Sequence, residues 1–361
     1  MRTPSTIRRR TAGAATAAAL ATLPAMLGIA APASAGTVAP VGAKAAAQPR
    51  ADLPALGHFR NHPGQDGDWG ERMQQAEDLY GPFEGHWRGY HPAGGAPPLA
   101  DNPTGQAEKA ALKAGKKLHL SWRPYEDPDN GGSWARTVSG DMLRQTMGRL
   151  QDHCGERCPE VWLSVVHEPE LDWRDHCPTV NPCPGWTYAD FKNMWDKVVQ
   201  AREDAGAGKV KLAWVVQGNP DRQKHYNSLW PGNDKVDIVG QDPYIDRGDK
   251  AEALPKRMIE RTKWFRDESA KHNGRYDYAS KPHIFAEYGC DLGGDEEDRG
   301  TAEHRGRCID EVREALPEIA GIPGIQVVEM DFFDAGSGWI EDADGSPDHE
   351  AYKRLKAATE R

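Results

Sequence analysis

The chain has 361 residues, with 45 Lys and Arg against 55 Asp and Glu, for a formal net charge of −10. That balance argues against nucleic acid as a partner, because phosphate binding rests on clustered cations, and it leaves a neutral polysaccharide compatible. Beyond residue 52 the sequence is too long for a small two-layer domain and matches the roughly 250 or more residues of an eight-stranded α/β barrel.

Residues 1–35 begin with Arg8, Arg9 and Arg10, continue through an Ala- and Leu-rich stretch to about Ala31, and end on Ala33-Ser34-Ala35. A basic start, an apolar run and a small-residue end predict a signal peptide cleaved after Ala35. The arginine run is compatible with twin-arginine export and with ordinary secretion alike. Residues 36–52 are Ala, Pro, Gly and Val without period, a composition that buries little and predicts a flexible leader. No later segment reaches the roughly 18 apolar residues of a membrane span. The mature product is therefore expected as a secreted monomer, free of the membrane, with one catalytic domain over 53–361.

Apolar runs then recur eight times, most of them followed by an amphipathic pattern. The first strand is expected at Ala55 to Phe59 with a helix from Asp68 to Leu79, and the second at His86 to Tyr90 with a helix from Gln106 to Ala114. The third, Lys117 to Trp122, precedes a helix that opens at Ser139-Gly-Asp-Met and runs to about Asp152. The fourth, Val161 to Val166, leads through a Cys- and Pro-rich loop to a helix over Tyr188 to Asp204. Further strands are expected at Val210 to Val216, Val236 to Gly240, His283 to Ala286 and Ile325 to Met330, with a last helix from about Asp348 to Ala358. Eight units predict a closed (β/α)8 TIM barrel of the α/β class rather than an open sheet.

All six cysteines lie beyond the leader. An even number in an oxidising compartment predicts disulfides, and closeness in sequence suggests Cys154–Cys158, Cys177–Cys183 and Cys290–Cys308. His153, His167 and His176 near the first four raise zinc as the alternative, against which stands the lack of any Cys-x-x-Cys pair.

Two acidic residues carry the chemistry: Glu168 in Trp162-Leu-Ser-Val-Val-His-Glu-Pro169, and Glu287 in His283-Ile-Phe-Ala-Glu-Tyr-Gly289. Each follows an apolar run, so each is expected at the carboxyl end of a buried parallel strand, where barrel enzymes place their active sites. A single Glu after a strand is commonly a solvated loop carboxylate. Two, after the fourth and seventh strands, face one another across the mouth of a closed barrel. A glycosidase needs such a pair, one to protonate the leaving oxygen and one to attack the sugar or activate water, and a separation of roughly 5 to 5.5 Å gives retention. That double displacement requires no metal or organic cofactor.

The runs Leu163-Ser-Val-Val-His-Glu-Pro-Glu170, Val236-Asp-Ile-Val-Gly-Gln-Asp-Pro-Tyr244 and Lys281-Pro-His-Ile-Phe-Ala-Glu-Tyr-Gly289 together resemble glycoside hydrolase family 26. The resemblance extends to Leu118-His-Leu-Ser-Trp-Arg-Pro124, to Ser139-Gly-Asp141, and to Asp331-Phe-Phe-Asp334 with Trp339. Members are retaining barrel enzymes that mainly cut β-mannan, some acting instead on mixed-linked β-glucan or β-1,3-xylan. The resemblance implies that Glu168 is the acid/base and Glu287 the nucleophile, that His167 orients the acid/base and the bound sugar, and that Tyr244 contacts the nucleophile. The resemblance implies an endo-β-mannanase acting on β-1,4-mannan; one departure, Pro169-Glu170 where many mannanases carry Met-Asn, keeps β-1,3-1,4-glucan and β-1,3-xylan as alternative substrates.

Trp122, Trp173 and Trp339 fall just beyond strand ends, where indoles would stack on pyranose rings; for Trp122 the competing reading is core packing. Glu170 is two residues from Glu168, and an extended chain would aim both the same way. Pro169 and the following loop are expected to turn it aside, toward a distal hydroxyl. Outside enzymes the alternative is a secreted carbohydrate-binding barrel without activity, against which the presence of both carboxylates argues.

Overall fold

The computed structural model describes residues 52–61, 68–124, 138–171, 186–245, 249–290, 301–335, 340 and 344–360. The expected signal peptide and leader lie outside them. Eight strands, β1 (Ala55–Asn61), β2 (Trp87–His91), β3 (Leu118–Trp122), β4 (Val161–Val165), β5 (Val210–Val216), β6 (Ile238–Gln241), β7 (Pro282–Tyr288) and β8 (Gln326–Ala335), follow one another in spatial order. Every neighbouring pair is parallel, and β8 pairs with β1 over seven residues to close the barrel. No helix among the described residues is long and apolar enough to cross a membrane.

The helices are α1 (Trp69–Tyr80), α2 (Pro103–Lys113), α3 (Gly140–Cys154), α4 (Tyr188–Asp204), α5 (Gln223–Leu229), α6 (Ala253–Lys271), α7 (Ala302–Ala320) and α8 (Pro347–Thr359). Their starts are written in short polar residues whose side chains accept orphan N–H groups. Asp68 and Glu71 cap each other's backbone at α1, and Thr187 and Asp190 do the same at α4. Asn102 caps α2, with Pro103 in the first turn where a missing N–H costs nothing. The buried face of α3 is Leu143, Thr146, Met147, Leu150 and Cys154, a spacing of three and four that keeps one stripe against the sheet.

Between sheet and helices the core is apolar, with Leu118, Leu120, Val161, Leu163, Val210 and Leu212 all fully buried. The barrel interior is different. Trp162, Val215, Ile238, Ile284 and Ala286 form a small apolar cluster there, and polar groups fill the rest. His86 lies 2.8 Å from Glu329 and stacks on Trp162 with ring centroids 3.7 Å apart. His119 bridges Asp331 at 3.1 Å and Ser164 at 2.8 Å. Burial, with Glu329 beside it, pushes the Asp331 carboxyl well up, while burial, with Arg88 beside it, holds His119 well below its ordinary value. The floor of the barrel is thus a hydrogen-bonded network in which burial favours the uncharged forms of Asp331 and His119.

The expected elements are all present with shifted ends. The eighth strand runs five residues beyond Met330 and carries Asp331 to Asp334 as strand rather than loop. The helices α5, α6 and α7, not delimited from the sequence, complete the ring. Disulfides join Cys154 to Cys158 and Cys290 to Cys308, as expected. The first takes two proposed zinc donors out of play, since a disulfide sulfur has no thiolate to offer. Cys177 and Cys183 lie outside the described residues.

Candidate active site

Glu168 follows the end of β4 in a turn held from both sides. The N–H of Val166 donates to the carbonyl of Trp122 at 2.8 Å, and that of Glu168 to the carbonyl of Val215 at 3.0 Å. Between these anchors the chain takes left-handed backbone at Val166 (φ 55°) and Glu168 (φ 52°). Such conformations are unfavourable for side chains with a Cβ, most of all a branched one, and they gather where the surroundings over-determine the geometry at functional sites. A helical turn then begins at Pro169.

Glu287 lies on β7 where pairing with β8 slips between Phe285 and Tyr288. Ala286 faces the barrel interior, so strict alternation would aim Glu287 outward; irregularities of this kind re-aim a side chain, and Glu287 turns into the mouth. Two phenols hold it. Tyr90 donates to Oε1 at 2.5 Å and Tyr244 to Oε2 at 2.8 Å. Arg88 stands 3.9 Å from Oε1 and is itself fixed by Ser121 Oγ at 2.7 Å and the carbonyl of Ala286 at 3.2 Å. Tyr244 is bridged to Gly289, two residues past Glu287. A Cβ at Gly289 would come within 2.9 Å of the Tyr244 ring, so the motif needs glycine there.

His167 joins the two carboxylates. Its Nε2 is 3.1 Å from Glu287 Oε1, 3.2 Å from Asp242 Oδ2 and 3.6 Å from Glu168 Oε2. The nearest oxygens of Glu168 and Glu287 are therefore no farther apart than the first and last of these distances end to end. Arg123 donates to the His167 carbonyl at 3.5 Å.

Electrostatics divide the pair. Burial opposes charge on Glu287, yet His167, Arg88 and the Tyr90 bond together hold it at about 2. Burial also opposes charge on His167, yet Glu287, Asp242 and Glu168 hold it up to about 10. Glu168 moves the other way: burial first, then Asp242, Glu287 and Glu170, push it well above the usual carboxylate range against the pull of His167. Asp242 is raised by burial and by Glu287 to about 7. The two carboxyl groups are thus pushed in opposite directions, Glu168 up and Glu287 down, the kind of split by which an acid and a base are set apart in one site. Ligand atoms of His167, Glu168 and Asp242 lie within 4.8 Å of one another. The same contacts are those of a histidine ion-paired with Glu287 and Asp242.

Glu168, Glu287, His167 and Tyr244 thus share one mouth. Trp122 does not. Ser121 points into the barrel toward Arg88, so its neighbour on the strand points outward, and Trp122 is 1% exposed beneath the helices. It is a core residue, and the sugar-stacking role expected for it is withdrawn. Trp173 and Trp339 lie outside the described residues. Glu170 is fully buried rather than aimed at a distal hydroxyl, because the turn at Pro169 is helical and swings it inward. His167 Nε2 lies close to both Glu287 and Glu168, and nearer the former.

The sequence reading missed Arg88 and Tyr90. The available signal was an arginine inside a buried parallel strand, where apolar residues are the rule, with Tyr90 two positions on and hence on the same face. It also missed Phe333, half-buried at the mouth, stacked on Phe59 at 5.0 Å and edge-on to Tyr90 at 5.9 Å and to Tyr244 at 6.3 Å.

No protein-family model matches the chain, and no curated protein matches it in sequence. Solved structures do match in fold. A modular endo-β-1,4-mannanase from Cellulomonas fimi, described as a member of glycoside hydrolase family 26, superposes with a TM-score of 0.58 at 15% identity over 85% of this chain and 71% of that one. A family 26 β-mannanase from Bacteroides ovatus gives 0.56 at 15% identity over 85% and 90%. A broad-specificity endoglucanase of family 5 from Clostridium longisporum gives 0.53 at 8% identity over 82% and 88%. The barrel is similar to all three.

Proposed function

We propose that this chain is a secreted retaining endo-β-glycosidase of the family 26 kind, with β-1,4-mannan as its substrate. The observation that carries the reading is one imidazole nitrogen touching both carboxylates at the mouth, Glu287 at 3.1 Å and Glu168 at 3.6 Å. That spacing favours the short carboxylate separation of double displacement over the wider gap that leaves room for an activated water. The likeness to the Cellulomonas fimi and Bacteroides ovatus mannanases supports the substrate class, and the two disulfides support an oxidising destination.

In this reading a β-linked chain lies across the mouth. Protonated Glu168 gives its proton to the glycosidic oxygen while ionised Glu287 attacks the anomeric carbon, forming the glycosyl-enzyme. Glu168, now a carboxylate, takes a proton from water, which attacks the same carbon and releases Glu287. His167, charged, together with Tyr90, Tyr244 and Arg88, keeps Glu287 anionic until it reacts.

Pro169-Glu170 in place of Met-Asn is the observation that keeps mixed-linked β-1,3-1,4-glucan and β-1,3-xylan as second readings. The test is reducing-end release from soluble β-mannan, mixed-linked glucan and β-1,3-xylan by the purified protein. Cleavage of mannan at the highest kcat/KM supports the assignment, and preference for either other polymer transfers the substrate while keeping the chemistry. A folded protein that binds one of them and cleaves none is a carbohydrate-binding barrel.

A further inference from the structure

Glu170 is a carboxylate with no part in the reaction, yet it is sealed two residues behind the acid/base. Its side chain is wholly inaccessible. One oxygen, Oε1, accepts the N–H of Gln217 just beyond β5 at 2.5 Å, and the other is buried without a hydrogen-bond partner among the described residues. The helical turn starting at Pro169 directs it there. A buried carboxylate with an unsatisfied oxygen is costly, and a glutamine would fill the same space without a charge. The same short segment carries the strained backbone of Val166 and Glu168, whose own N–H reaches Val215 on β5. Glu168 and Glu170 are therefore both tied to the end of one strand.

We propose that Glu170 is a positioning residue for the acid/base: its bond to Gln217 clamps the β4 turn onto β5, and its negative charge keeps the neighbouring Glu168 carboxyl protonated. The proposal rests on Glu168 being the acid/base, as argued above. The groups that face Glu170 are His167 and Glu168 on its own segment, Asp242 after β6, and Tyr226 of α5, which senses both Glu170 and Arg261 of α6. Burial raises Glu170 to about 7 against the backbone bonds that favour its ionised form. Below that value it is neutral and only clamps. Above it the charge appears, and a like charge nearby disfavours ionisation of Glu168. The proton needed by the leaving group is thereby retained at alkaline pH.

The test uses Glu170→Gln and Glu170→Asp in the full chain. Substrates are the polysaccharide that the wild type cleaves best and a β-glycoside of the same sugar bearing a dinitrophenolate leaving group, which needs no protonation. With Glu170→Gln, kcat/KM on the polysaccharide is expected to match wild type below pH 6 and to lose its alkaline limb at a lower pH, because one of the like charges that raise Glu168 is gone. On the activated glycoside kcat/KM stays within about 2-fold, since that first step bypasses the acid. Glu170→Asp keeps the charge and hence the position of the limb, while its shorter arm lowers polysaccharide turnover.

An alkaline limb unmoved by Glu170→Gln, or equal slowing on both substrates, overturns the proposal, because a purely structural role would slow both alike. Should Glu170→Gln fail to fold, Glu170→Asp carries the test by the same comparison of the two substrates. Failure of the underlying reading looks different: Glu168→Gln would itself leave the alkaline limb in place.

Discussion

Tyr90→Phe removes one atom from the surroundings of Glu287, the proposed nucleophile, and almost nothing from the packing. The ring is held edge-on by Phe59 at 4.7 Å and by Phe333 at 5.9 Å, with the Arg88 guanidinium 4.6 Å from its centroid, and phenylalanine keeps all of these. What goes is the 2.5 Å bond to Glu287 Oε1. A hydrogen bond to a charged group is worth about 1.5–3 kcal/mol, or about one to two pH units at roughly 1.4 kcal/mol each. Tyr244 at 2.8 Å and His167 at 3.1 Å remain, so the lower figure applies. Glu287, held at about 2 in the wild type, should rise by roughly one unit. A nucleophile must be ionised, so the acid limb of kcat/KM moves up with it. The assay is kcat/KM on the activated glycoside from pH 3 to 7, with circular dichroism at each end to show that the fold persists. The wild type should stay near its plateau at pH 3, and the variant should lose about half of its own plateau value there. Acid limbs that superpose would refute the idea that Tyr90 sets the charge of Glu287.

Glu287→Ala should abolish turnover while the barrel still folds, and azide should restore activity with an inverted glycosyl azide; more than about a hundredth of wild-type turnover remaining would remove Glu287 from the nucleophile's role. Glu168→Gln should be slow on polysaccharide yet spare the first step on the activated glycoside, so that a glycosyl-enzyme accumulates and is seen by intact mass. The Cys290–Cys308 bond spans 18 positions, and in the chain-entropy model its loss from Cys290→Ala/Cys308→Ala should cost about 3 kcal/mol. Because it ties the end of β7 to α7, activity of that variant should fall at a lower temperature than the far-UV signal of the barrel, and coincident losses would count against a role at the mouth.

Periodicity was enough to read the barrel, because eight apolar runs leave few other ways to be buried. The ends of those runs carried Glu168 and Glu287 for the same reason. Spacing cannot say which face a residue at a strand end takes. Trp122 and Ser121 are adjacent, and only the Arg88 contact shows that Ser121 points inward, leaving Trp122 under the helices. Arg88 and Tyr90 were hidden because their partner, Glu287, is some two hundred residues away in the chain. The slip in pairing between β7 and β8 that aims Glu287 at them has no local sequence mark. That Pro169 turns Glu170 away from Glu168 was legible, but the helical turn that buries it against the end of β5, instead of sending it toward a distal hydroxyl, was not.

The left-handed backbone at Val166 and Glu168 bears on durability. Each such residue costs of order 1–3 kcal/mol, out of a net stability of about 5–15 kcal/mol for a typical domain. The turn keeps its shape only while β3 and β5 grip it through the carbonyls of Trp122 and Val215. A substitution that loosens either neighbour is expected to let Glu168 relax toward ordinary backbone at less cost than unfolding the barrel. A search for hardier variants that selected on melting alone would be drawn to relax this turn, and would deliver a protein that survives heat and has forgotten how to cut. Screening for residual rate after heating, with the gains sought in the outer helices, avoids that trap.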